Sequence, residues 1–343
     1  MNIPIIENYI SKRLKHTIKI KEIIPIIKGY SNLTYKLELE DGRNWVLRRP
    51  PLGKKIKSAH DMNREFTIQS KLWNYGFKTI PEPILYCKDT SILGDEFYIM
   101  AFVDGLTLRV NERTITTKEI RKLSETVIEE LAALHKIDIE KSGLIDFHKG
   151  EGYVLRQVNG WTKRYNNALT PDARTIDNIV EWLLNAIPKK ETVGFIHNDF
   201  KFDNFIVDTN NVYNIKAIVD WEMATVGDVF SDVGTTLSYW AENNDEGYLN
   251  EFTISSSQGN YTREELISLY EKYSGITTTN WLFYYVLGCL KLAGIAQQVY
   301  SRYKLGFTDD ERFKKMILIG DNCIENANRA IKYQRISNLY TEK

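Results

Sequence analysis

The sequence predicts an α+β chain in two parts: a small antiparallel sheet with a packed helix over residues 1–104, then a larger, mainly helical part over 105–343. Three observations predict it. Short apolar runs with period two, joined by turn residues, occupy much of the first hundred positions. After Gly105 those runs give way to helical periodicity. Within the helical part, Val193–Glu222 sets a polar cluster between the apolar runs Phe195–Ile196 and Phe205–Val207, then follows with Ile215–Val219 and Asp220. That last pattern is how a β-rich platform presents polar side chains at its rim.

The elements follow in order. Ile5, Ile6, Tyr9, Ile10 and Leu14 recur at helical spacing and predict an amphipathic helix over 4–15. Thr34–Glu40 alternates, with Tyr35, Leu37 and Leu39 on one face, and Asp41-Gly42 turns the chain back into Trp45-Val46-Leu47. Gly29, Ser31, Asn32 and Thr34 lead into this hairpin, and small or hydrogen-bonding residues there could lie over phosphates. Arg48 ends the second strand; the pleat puts it on the face of Val46 and puts Arg49 on that of Leu47. Ser58 and Asp61 make a capping-box-like start to a helix carrying Met62, Phe66, Gln69, Leu72 and Trp73, with Glu65 beside that stripe. Ile84–Tyr86 and Phe97–Met100 read as further strands, the second running into Ala101, Phe102 and Val103.

In the second part, Thr116 and Glu119 form a capping box before a stripe of Ile120, Leu123, Val127, Leu131 and Leu134. His135, alone at the end of that helix, is expected to pack or cap. Tyr153, Arg156, Gln157, Trp161 and Arg164 lie on another helix, where ordinary packing and substrate contact are both open. Gly227-Asp228 and Asp232 precede a helix with Leu237, Tyr239 and Trp240, and residues 262–335 read as three helices. Glu242, Asp245 and Glu246 are expected in a solvated loop, with a role facing a cationic acceptor as the alternative.

Composition sets outer limits. Lys and Arg number 45, as do Asp and Glu, so the net charge is zero, and no nucleic-acid partner is expected without a basic excess. Tyr (20) and Trp (7) are too frequent for a disordered chain. Cys87, Cys289 and Cys323 are far apart and lack zinc spacing, which predicts free thiols and a cytoplasmic setting. The N-terminus does not read as a secretory signal. The apolar run Trp281–Leu290 falls short of the ~20 residues a bilayer requires, so a core helix and no membrane partner are expected. Oligomeric state is left open.

The chemistry is concentrated in His197, Asn198, Asp199, Lys201, Asp203 and Asn204, with Asp220 beyond the next apolar run. Two carboxylates and an amide oxygen suit Mg²⁺, which takes few protein ligands and completes its shell with water and substrate phosphates. A spare carboxylate beside such an ion can accept the proton of an attacking hydroxyl.

H-N-D-F-K-F-D-N resembles the catalytic loop H-x-D-x-x-x-x-N of the protein-kinase-like phosphotransferases. With V-D-W-E after it, the stretch is similar to the aminoglycoside phosphotransferase and choline kinase group, and most similar to the subfamily also found fused to acyl-CoA dehydrogenases. The resemblance covers roughly residues 24–300. It implies a two-lobed kinase-like fold with ATP in the cleft and transfer of the γ-phosphoryl group to a small-molecule hydroxyl. It implies Asp199 as catalytic base, Lys201 facing the γ-phosphate, and Asn204 and Asp220 as Mg²⁺ ligands. Gly29, Ser31, Asn32 and Thr34 match its phosphate loop, and Arg48 stands at its nucleotide lysine, paired with Glu65. Ala101 and Val103 would meet the adenine edge through the backbone. Tyr153, Arg156, Gln157 and Trp161 would border the acceptor, and Asp228 and Asp232 would support the catalytic loop. Asn198 replaces the usual Gly, Val229 the usual Pro, and Arg48 the usual Lys. Asp220 is followed by Trp-Glu, and no A-P-E segment follows, which argues against a protein kinase. Two rival readings are a nucleotide-binding pseudokinase and a true aminoglycoside resistance kinase. The zero net charge and the Arg156–Arg164 segment favour a neutral or anionic acceptor, such as a hydroxyacyl compound or a sugar.

Overall fold

A computed structural model describes residues 1–26, 32–51, 61–108 and 115–341. The chain forms two compact units: Met1–Gly105 with Lys141–Gly143 and Lys216–Ala224, and the remainder, Leu106–Glu140, Leu144–Ile215 and Thr225–Lys343. The division is therefore not the single cut after residue 104 that the sequence suggests. Residues 216–224 join the first unit because Trp221 is fully buried against the edge of Phe77, 6.5 Å between ring centres, and Ile218 N–H donates to Thr79 O at 2.9 Å.

The first unit runs α1 (Ile3–Leu14), β1 (Ile20–Ile26), β2 (Leu33–Leu39), β3 (Asn44–Arg49), α2 (Met62–Tyr75), β4 (Pro83–Cys87), α3 (Thr90–Leu93) and β5 (Phe97–Ala101). The five strands form one antiparallel sheet in the order β1-β2-β3-β5-β4. β1 has no clean alternation to announce it, and its Pro25 is tolerated because the strand lies at the sheet edge. Gly42, at φ +88°, makes the β2–β3 turn. One face of the sheet packs Leu37, Trp45, Leu47, Phe97 and Ile99 against Ile6 and Ile10 of α1. The other packs Val46, Tyr98 and Met100 against Met62 of α2. Arg48 shares the Val46 face, so the pleat aims it at α2. The cap of α2 is Asp61, which accepts from Arg64 N–H at 2.9 Å; Ser58 lies outside the described residues.

The second unit begins with β6 (Leu106–Thr107), α4 (Thr117–His135), α5 (Tyr153–Asn167), α6 (Asp177–Asn185), β7 (Val193–Ile196), β8 (Phe205–Val207) and β9 (Ile215–Ile218), most of which belongs to the first unit. It continues with β10 (Thr225–Asp228), α7 (Val229–Ser238), α8 (Leu249–Phe252), α9 (Arg263–Ser274), α10 (Trp281–Lys304), α11 (Glu311–Lys314) and α12 (Met316–Tyr333). The capping box at Thr116 and Glu119 is formed. The runs flanking the polar cluster are not one hairpin: β7 pairs with β10 and β8 with β6, both antiparallel. Between β7 and β8 the chain makes a short 3₁₀ turn, Phe202–Asn204.

α10, at 24 residues, is longer than its apolar run suggests. By length and composition it could cross a membrane, yet 78% of its most apolar window is buried inside the protein. It crosses α7 at a glycine pair. A Cβ on Gly234 would lie 2.1 Å from Tyr284 O, and one on Gly288 would lie 2.2 Å from Gly234 O. That close crossing brings side chains of both helices to the polar loop after β7.

Candidate active site

The loop after β7 is held from three sides. Asp232 on α7 is fully buried; its Oδ1 accepts Asn198 N–H at 2.7 Å and its Oδ2 accepts His197 N–H at 2.8 Å. His135, at the end of α4, contacts Asp232 Oδ2 through Nε2 at 3.2 Å and the Tyr270 hydroxyl through Nδ1 at 2.8 Å. Burial pushes the Asp232 carboxyl up, but the hydrogen bond from His135 and the neighbouring His197 and Lys291 outweigh it and leave the carboxyl below its ordinary range. Asp228 caps α7 through Ser231 N–H and accepts Thr192 N–H at 2.8 Å.

Asn198 adopts φ +69°, a left-handed conformation that Gly or Asn accepts more readily than other residues. This gives a physical reason why Asn can stand where the resemblance has Gly. Its Oδ1 accepts from the Tyr153 hydroxyl and from Lys291 Nζ, each at 3.1 Å. Lys291, on α10, is buried; it also donates to Asn198 O and to Thr235 Oγ1. Burial lowers its pKa to about 8, with Asp232 and Asp199 pulling the other way.

Asp199 is buried, with both carboxylate oxygens engaged. Oδ1 accepts the Tyr239 hydroxyl at 2.7 Å. Oδ2 accepts Asn204 Nδ2 at 2.9 Å and lies 3.0 Å from Lys201 Nζ. Burial alone would raise its pKa; Lys201 and the donated hydrogen bonds outweigh burial and bring it to about 2. Lys201 is held well above the ordinary lysine range, burial being outweighed chiefly by Asp199, and its ammonium lies 4.8 Å from the centre of the Tyr239 ring. Asn204 Nδ2 also donates to Asp199 O at 2.8 Å, which leaves its amide oxygen as the end available to a cation.

The first unit holds a second cluster. Arg48 Nε lies 3.3 Å from Glu65 Oε2, while its Nη2 lies 3.1 Å from Asp220 Oδ1 and 3.5 Å from Glu222 Oε2. Burial pushes the Glu65 carboxyl up, with Arg48 drawing it back. Asn32 Nδ2 donates to Glu222 Oε2 at 3.1 Å, and Arg64 Nη1 to Glu222 O at 2.9 Å. Asp220, like Asn198, stands at φ +69°, so both assigned loops contain a non-glycine residue in a sparsely populated conformation.

Other candidates sit as follows. Gly29 and Ser31 lie outside the described residues. Thr34 pairs with Arg48 across the β2–β3 ladder. Ala101 N–H is occupied by Glu82 O at 2.8 Å, and Val103 follows the end of β5. Tyr153, Gln157 and Trp161 line a cavity with Asn198, Thr235 and Lys291 that has room for about one water molecule, so they pack behind the loop. Arg156 donates to the carbonyls of Gly150 and Glu151, and Arg164 stacks on Trp161 at 4.6 Å. Glu242 and Asp245 are not solvated and do not face an open acceptor site. Both are buried around Arg263, which donates to Asp245 Oδ2 from Nη2, to Trp240 O from Nε and to Ile336 O from Nη1.

Sequence reading missed Tyr239, Lys291 and Glu222 as members of these clusters. Glu222 had a signal, its place two residues after Asp220. Tyr239 and Lys291 had none, since they reach the loop from 40 and 93 positions away.

Residues 22–267 match the phosphotransferase enzyme family. Acyl-CoA dehydrogenase family member 11 of Homo sapiens is 36% identical over 287 residues, 82% of this chain; the chain spans only 36% of that relative's length. A crystal structure from Ralstonia eutropha JMP134, provisionally assigned as an aminoglycoside phosphotransferase, superposes with TM-score 0.78 at 24% identity, covering 96% of this chain and 98% of that one. Choline kinase from Cryptosporidium parvum Iowa II gives TM-score 0.60 at 16% identity, covering 90% or more of each chain, 93% in both cases.

Proposed function

Since the chain belongs to the phosphotransferase enzyme family, whose kinase-like fold it shares, we propose that it moves the γ-phosphoryl group of ATP to a hydroxyl of a small molecule in the presence of Mg²⁺. The observation that carries this reading is the setting of Asp199: a buried carboxylate that accepts from the Tyr239 hydroxyl and Asn204 Nδ2 and lies 3.0 Å from Lys201 Nζ, in a loop fixed by Asp232. Such a group can orient a hydroxyl and take its proton as the oxygen attacks phosphorus. The acceptor O–P bond forms, the bond from γ-phosphorus to the bridging oxygen breaks, ADP leaves, and the proton passes to Asp199.

Asn204 and Asp220 are assigned to Mg²⁺. Both offer hard oxygen donors. This suits a cation that completes its shell with water and phosphate oxygens, and when bound it would supply charge neutralisation on those oxygens. Arg48, anchored by Glu65, is assigned to the nucleotide phosphates, as is Lys201, which now rests on Asp199. With Glu242 and Asp245 committed to Arg263, those acids offer no support for a polycationic acceptor. Hydroxyacyl compounds and sugars are therefore the acceptors to try first. The test is a screen of hydroxylated metabolites for ADP release from Mg·ATP, with wild type beside Asp199→Ala. Turnover with at least one acceptor in wild type alone is expected; none with any acceptor would favour a nucleotide-binding pseudoenzyme.

A further inference from the structure

A carboxylate offers about four lone-pair positions, two on each oxygen. On Asp199, Oδ2 has both occupied, one by Asn204 Nδ2 and one by Lys201 Nζ. Oδ1 has one occupied, by the Tyr239 hydroxyl. Among the described residues, the position left open is thus on the oxygen that Tyr239 holds. Tyr239 is itself well fixed. It ends α7, is buried, and carries the Lys201 ammonium over its ring. The helix behind it is locked to α10 by the Gly234–Gly288 contact.

We propose that Tyr239 is a positioning residue for phosphoryl transfer: its hydroxyl sets the plane of the Asp199 carboxylate so that the open lone pair of Oδ1 receives the acceptor's O–H. The acceptor hydroxyl then arrives beside the Tyr239 phenol, and the proton it gives up goes to Oδ1 while the Tyr239 hydrogen bond remains on that oxygen's other lone pair. Loss of the phenol hydroxyl opens two positions on Oδ1 and frees the carboxylate to turn. The role in transfer rests on the phosphotransfer reading; the coupling between the two side chains does not.

The experiment therefore has two arms. In the first, 3-fluorotyrosine is placed at position 239 of the full chain and its ¹⁹F signal is followed from about pH 6 to 11, with neither nucleotide nor acceptor present. The phenol should resist ionisation beside the Asp199 charge, and Asp199→Asn should lower its midpoint by about one unit or more. Equal midpoints in the two proteins would overturn the proposal. In the second arm, Mg·ATP turnover is measured with water as acceptor and with any acceptor the screen returns. Tyr239→Phe, which keeps the ring and its packing, should lower kcat about tenfold with the KM for ATP unchanged, as the loss of one charge-assisted hydrogen bond predicts. Unchanged kcat would also overturn it. Coupling in the first arm with no wild-type turnover in the second would overturn the phosphotransfer reading and Tyr239's part in it, leaving the side-chain coupling established. Turnover without coupling would leave the phosphotransfer reading standing and overturn Tyr239's part in it.

Discussion

The two clusters are built on opposite plans. In the first unit a cation is the hub: Arg48 faces three carboxylates, Glu65, Asp220 and Glu222. Arg48 Nε and Glu65 Oε2, though 3.3 Å apart, lack a well-aligned hydrogen bond. In the second unit a carboxylate is the hub: Asp199 gathers Tyr239, Asn204 and Lys201 at 2.7 to 3.0 Å. Charge follows the same division, since burial drives Glu65 up while the neighbouring donors and Lys201 drive Asp199 down. In the second cluster the Lys201 ammonium is matched by the Asp199 carboxylate. The first has more negative than positive charge in contact, which a divalent cation would relieve.

The largest expected effect on stability is at the first hub. Arg48→Met leaves Glu65 buried without its counter-ion and should cost about 3–5 kcal/mol in urea unfolding. A loss under about 1 kcal/mol would mean the three carboxylates do not depend on Arg48, and the contrast between the clusters would fail. Asp232→Asn should cost about 2–3 kcal/mol, because an amide keeps one acceptor oxygen and turns N–H toward the second backbone donor. Its thermal melt and its turnover should both fall. Unchanged turnover would show that the loop after β7 holds its shape without Asp232.

The pH dependence of stability sharpens the comparison further. A carboxyl whose folded pKa is about 2 contributes stability that is present above its unfolded value of about 3.9 and is lost as pH falls toward 2. For Asp199 that contribution is about 3 kcal/mol. Urea unfolding between pH 5 and 3 should therefore have a shallower acid limb in Asp199→Asn than in wild type, and parallel limbs would contradict the assignment. The smallest effect is at Glu222, which is partly exposed and 3.5 Å from Arg48. Glu222→Gln should change stability by less than about 1 kcal/mol, and a larger loss would make it an equal partner of Glu65.

Local signals were legible where the physics is local. The capping box before α4, the Asp41-Gly42 turn and the alternation of β2 each depend on neighbours within a few residues, and each formed where the sequence placed it. Partners remote in sequence were not legible. An apolar run indicates a strand but not its mate, so the pairing of β7 with β10 was hidden. Glu242 and Asp245 were expected in a solvated loop, but both are buried against Arg263, which is itself fully buried and also reaches Ile336 O in the C-terminal segment. Tyr239 read only as one aromatic of a helix with Leu237 and Trp240; its hydroxyl meets Asp199 from 40 positions away.

The central claim is that Asp199 takes the acceptor's proton. It is tested most directly by comparing Asp199→Asn with wild type in ADP formation from saturating Mg·ATP and an acceptor from the screen, with ATP affinity measured alongside by calorimetry. The account predicts unchanged ATP binding and turnover reduced about 10²- to 10⁴-fold. Turnover within about threefold of wild type, with ATP bound equally well, would contradict it.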